Sequence, residues 1–140
     1  MAQILPVVRS MTVCDYITVD YGGTPGRPER VSLEGIVSTI RVPADQSFPF
    51  TRDLRVFVQL AEARGASEIG LAIRGDSTQD AIYSSDDRRV DFGNDPIAVR
   101  GNPFRIFRVK FPQPDYYSVQ FRYNGAVIAE QPIRVIGGEP

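Results

Sequence analysis

Asp115-Tyr116-Tyr117-Ser118-Val119-Gln120-Phe121-Arg122-Tyr123-Asn124-Gly125-Ala126 alternates without a fault. Tyr117, Val119, Phe121 and Tyr123 fall on one face, and Ser118, Gln120 and Arg122 on the other. A period of two is the signature of a strand with one buried side. Asn124-Gly125 then supplies two residues that accept positive φ at little cost, as a two-residue hairpin turn requires. Residues 126–135 form the returning strand. The inward row of this hairpin is the most apolar in the chain, so it belongs at the centre of a sheet. Just before it, Pro112-Gln113-Pro114-Asp115 forces a turn. Asp115-Tyr116-Tyr117 fits a tyrosine corner, in which a phenol hydrogen-bonds back to the chain upstream.

Working outward, residues 104–111 alternate with Phe107, Val109 and Phe111 inward. Leu54, Val56, Val58 and Leu60 make another inward row, and Ile69, Leu71 and Ile73 a further one, with Gly65 in the loop between. Residues 81–83 and 96–99 suggest brief strands around a polar loop at 84–95. Residues 11–20 form the first strand, with Val13, Ile17 and Val19 on one face. The loop 21–30 holds three glycines and two prolines and breaks regular structure. Residues 31–42 form the second strand. Val31 and Leu33 are odd, whereas Ile36, Ile40 and Val42 are even, so a β-bulge or kink is expected at Gly35, and a bulge would keep all five inward.

Seven to eight short strands and no amphipathic helix predict an all-β fold, an antiparallel β-sandwich of immunoglobulin-like or C2-like type. One domain spans 1–140, with 1–10 as an extended N-terminal segment and 136–140 as a tail. Leu54, Val56, Val58, Ile69, Leu71, Ile73, Phe107, Val109, Tyr117, Val119 and Phe121 are its expected core.

The composition narrows the chemistry. With 140 residues and 42% apolar content the chain is globular. Sixteen Lys plus Arg against seventeen Asp plus Glu leave a net charge of -1, which offers no bulk attraction for nucleic acid. The absence of histidine removes Ser-His-Asp and Cys-His catalysis and His-bearing zinc sites. One cysteine, Cys14, makes no internal disulfide and no thiolate cluster, and it suits a reducing cytoplasm. The N-terminal apolar run is broken by Pro6 and Arg9, unlike a signal peptide. No stretch reaches the roughly 20 apolar residues that span a bilayer. A cytoplasmic protein without a cofactor is the expectation.

Cys14-Asp15-Tyr16, Ser32-Leu33-Glu34-Gly35-Ile36, Val42-Pro43, Phe48-Pro49, Tyr116-Tyr117 and Asn124-Gly125-Ala126 together resemble small bacterial proteins grouped only as a domain of unknown function. The likeness covers most of the chain and implies an immunoglobulin-like or C2-like sandwich. It implies no activity. The insert after Tyr21 and the Asp-rich loops have no match in it.

Three constellations remain. Asp76 and Asp80 sit in one loop, and Asp86, Asp87, Asp91 and Asp95 in the next. Carboxylates from adjacent loops hold Ca²⁺ in some sandwiches, but Arg74, Arg88 and Arg89 are interleaved, so solvated loop charges are the plainer reading. Arg100, Arg105, Arg108, Lys110 and Arg122 lie on or beside two strands. Arg108, Lys110 and Arg122 would share an outer face there, which is read as solvated rather than as a nucleic-acid site. Asp15 falls on the apolar parity of its strand, where an acid usually fixes structure, and neighbouring Cys14 has no base to activate it.

Phe48-Pro49-Phe50 stands in a loop without alternation. Its rings are expected to form a contact site for a protein partner or a second copy, with plugging of the sandwich end as the alternative. The leading functional expectation is a non-catalytic protein-interaction or assembly module. A C2-type domain binding Ca²⁺ or lipid through its loops is the alternative, and a carboxylate-based hydrolase ranks last.

Overall fold

Among the described residues the alternating segments become ten strands in two sheets. The computed structural model describes residues 5–20, 22, 23, 25, 26, 30–95 and 99–137. In chain order these are β1 (Val7–Asp20), β2 (Arg30–Ile36), β3 (Thr39–Val42), β4 (Phe50–Ala61), β5 (Ala66–Gly75), β6 (Ala81–Ser84), β7 (Arg88–Asp91), β8 (Val99–Phe111), β9 (Asp115–Tyr123) and β10 (Ala126–Gly137). The four-stranded sheet runs β2-β1-β4-β8. The six-stranded sheet runs β3-β10-β9-β5-β6, with β7 also paired to β5. No helix long and apolar enough to cross a membrane occurs among the described residues.

The β9–β10 hairpin lies centrally, as its composition requires. Asn124 and Gly125 both have positive φ, 49° and 84°, and Tyr123 pairs with Ala126 across the turn. Tyr117, Val119, Phe121 and Tyr123 are all buried. The Tyr117 hydroxyl donates to the Gln113 carbonyl at 2.6 Å, which is the tyrosine corner. One core joins the inner faces of both sheets. Edge-on aromatic pairs stitch them together: Phe111 meets Tyr117 at 5.0 Å between ring centroids, and Phe104 meets Phe121 at 6.1 Å. All the expected core residues belong to that core except Phe107.

Phe107 is 60% exposed. Between the pairs Arg52↔Val109 and Leu54↔Ile106, β8 carries one residue more than β4. The extra residue sits at a bulge where Arg108 adopts φ 56° and its N–H donates to Asp53 Oδ1 at 2.8 Å. Phe104 and Ile106 before the bulge, and Val109 and Phe111 after it, all reach the core; Phe107 faces out.

The expected second strand is two strands. Val37 N–H still donates to Val13 on β1, whereas the Ser38 carbonyl accepts from Arg134 on β10. The chain therefore changes sheets between these neighbours, and this, not a bulge, shifts the parity. Ile36 ends 72% exposed, while Ile40 and Val42 are buried. Gly35 is nonetheless distorted. Its φ is +67°, and a Cβ there would lie 2.7 Å from Asp15 Oδ2. The pairing register is the same on both sides of it, so Gly35 is a kink without an inserted residue.

Further departures follow from edges. β3 pairs with β10 in parallel, so the fold is not wholly antiparallel. β7 forms inside the stretch read as a polar loop, because a short edge strand buries too little to show an apolar row. β1 begins at Val7, within the segment expected to be merely extended, and β10 takes in Ile136 and Gly137 of the expected tail. The remainder of those two segments, 1–4 and 138–140, lies outside the described residues, as does 96–98 of the brief strand expected at 96–99.

Candidate functional site

Phe48 and Phe50 are half-buried and pack against the chain's own core, and Pro49 between them is exposed. Phe50 opens β4 opposite Phe111, so the rings close one end of the space between the sheets.

The aspartates do not gather. Asp76, Asp80, Asp86, Asp87, Asp91 and Asp95 are all exposed. Asp87 pairs with Arg122 at 3.1 Å, and Asp91 accepts from the Gly93 N–H at 2.9 Å. Among the described residues no group of three or more His, Cys, Asp or Glu is placed to hold a metal ion. Asp115, which was not singled out, is better organised. It accepts from Ser77 Oγ at 2.6 Å and Ser77 N–H at 3.0 Å, and these bonds hold its pKa below the ordinary carboxylate value.

Arg108, Lys110 and Arg122 do not share a face. The first two belong to β8 of the four-stranded sheet. Arg122 belongs to β9 of the other sheet, where it donates to Ser84, Ser85 and Asp87. Asp15 is half-exposed and ion-paired with Arg52. Cys14 is a free, fully buried thiol. Burial raises its pKa, and the Asp15 charge raises it further, so the thiol stays protonated near neutrality.

A concave feature lies elsewhere. β1 pairs with β4 only as far as Cys14; beyond it, β1 continues with β2 as a two-stranded arm. Ile17 and Val19 of the arm, Arg55 of β4, Pro103 and Arg105 of β8 and Arg88 of β7 line a groove of about 580 Å³. Arg55, Pro103 and Arg105 alternate with the buried Val56, Phe104 and Ile106, which places the groove on the outer face of the four-stranded sheet.

Two of its guanidiniums are anchored. Arg55 Nη1 donates to the Asp15 carbonyl at 2.6 Å, and its Cζ stands 5.3 Å from the Tyr16 ring centroid. Arg88 Nη2 donates to the Pro103 carbonyl at 3.1 Å and stacks over Phe104 at 4.4 Å. Packing there removes water from Arg88 and lowers its pKa, although a guanidinium remains charged near neutrality. Arg105 is exposed. Among the described residues, none of the three forms an ion pair with a carboxylate. Sequence reading noted Arg88 and Arg105 but not their meeting with Arg55. No family model fits the chain, and no curated protein is significantly similar to it.

Proposed function

We propose that the chain is a non-catalytic β-sandwich, immunoglobulin-like or C2-like, that works as a protein-interaction or assembly module. The observation that carries this reading is Phe107. A large aromatic side chain stands 60% exposed on the edge strand β8. It is held there by a bulge whose non-glycine residue has positive φ and whose N–H is taken by Asp53. Bulges re-aim side chains and recur where sheets make functional contacts. Leaving that ring in water forgoes roughly 25 cal/mol for each Å² of apolar surface, and a partner's surface would recover it.

Phe50 lies at the same end of β4 and β8 as the bulge, so the exposed part of Phe48-Pro49-Phe50 extends the same contact region. The tyrosine corner supports the immunoglobulin-like type. A free buried cysteine suits the reducing cytoplasm in which we place the protein. The separated aspartates lend the calcium reading no support.

Affinity capture from the native cell tests the proposal, with wild type and Phe107→Ser side by side. A chain that co-purifies in stoichiometric amount with wild type and is lost with the variant, at unchanged melting temperature, supports it. An identical set of captured chains for both would remove Phe107 from the contact and the reading with it.

A further inference from the structure

We propose that the groove between the β1–β2 arm and the outer face of the four-stranded sheet binds a small organic anion that joins a carboxylate or phosphate group to an aliphatic body. This site does not depend on the protein-interaction reading.

The groove pairs two kinds of wall. Ile17, Val19 and Pro103 present aliphatic surface, and Arg55, Arg88 and Arg105 present three positive charges. At about 580 Å³ it has the size of a small-molecule site, not of an extended protein interface. Arg55 and Arg88 each use one N–H on a backbone carbonyl and one ring face for stacking. A guanidinium has five N–H donors, so each fork is held in place with donors to spare. Fixing these side chains in the folded protein removes much of the entropy cost of binding. Arginine forks match carboxylate and phosphate oxygens two at a time. Among the described residues lining the groove these three cations stand without a carboxylate; they repel one another, and an anion reverses that repulsion. The aliphatic wall explains why the ligand needs an apolar body: a bare inorganic anion would leave Ile17, Val19 and Pro103 uncovered.

Calorimetric titration of the whole chain with four probes is the test: octanoate, octyl phosphate, octanol and inorganic phosphate, the amphiphiles kept below micelle-forming concentration. Octanoate or octyl phosphate is expected to bind at least about tenfold more tightly than octanol or inorganic phosphate. Whichever of the two prevails tells carboxylate from phosphate. The methyl resonances of Ile17 and Val19 should shift on binding. Arg105→Gln touches nothing in the core and should weaken binding about tenfold at unchanged melting temperature. Val19→Asp, which puts a carboxylate on the groove wall, should abolish it. Equal affinity in wild type and both variants would overturn the site, as would methyl shifts elsewhere. Silence of all four probes while an acidic peptide binds would also overturn it, and would leave the protein-interaction reading standing.

Discussion

β9 and β8 are both alternating strands, but β9 holds a single parity and β8 changes parity part-way. β9 keeps one parity from Tyr117 to Tyr123 and buries every odd residue. β8 buries Phe104 and Ile106, then adds a residue at Arg108 and buries Val109 and Phe111. The central strand has neighbours on both sides, so a one-residue slip would turn its whole apolar row away from the core. β8 is bonded along one edge only, and a bulge there disturbs a single ladder. Among the described residues register is enforced where a strand is bonded on both sides; β1 and β10 also shift, near Ser10 and Ala129, and there too only one ladder is paired.

The largest effect that would break this contrast is at Phe121. Phe121→Ala should cost about 3–5 kcal/mol in chemical denaturation, whereas Phe107→Ala should stay within about 0.5 kcal/mol. Comparable losses at both positions would mean that Phe107 is core. Next comes the left-handed glycine of β2. Gly35→Val must take a β-branched residue to φ +67° and press Asp15, for about 1–3 kcal/mol; Gly125→Ala, at φ +84° but in open space, isolates the backbone strain from the contact. Removing the phenol hydroxyl in Tyr117→Phe should cost about 1 kcal/mol through the lost bond to Gln113. An unchanged midpoint would show the corner to be ornamental.

The smallest effect concerns acid. Hydrogen bonds from Ser77 depress the Asp115 pKa in the folded chain. Its stabilising contribution is therefore complete above the ordinary carboxylate value of about 4 and disappears as pH falls through the depressed folded value. Wild type should lose melting temperature more steeply than Ser77→Ala over that acidic window, and parallel curves would deny the linkage.

How far the sequence could be read follows the same physics. The β9–β10 hairpin, the inward rows of β4 and β5 and the tyrosine corner were legible because regular alternation and Asn124-Gly125 mark them locally. The bulge in β8 was hidden, because its left-handed residue is an arginine and no glycine or asparagine flags it. Gly35 drew attention to a true distortion, but the change of sheet at Val37 and Ser38 depends on partners far off in the sequence, Val13 on one sheet and Arg134 on the other. The groove was illegible for a related reason. Ile17, Arg55, Arg88 and Arg105 come from four strands, and each looks like ordinary surface in its own segment.

The most direct measurement is amide hydrogen exchange, compared between the chain alone and the chain with the partner it captures. The expected result is slowed exchange along β8 around Phe107 and at the start of β4 beside Phe50, with the outer side of the six-stranded sheet unchanged. Slowing confined to β5, β9 or β10, with β8 exchanging as in the free chain, would contradict the placing of the contact surface on the four-stranded sheet.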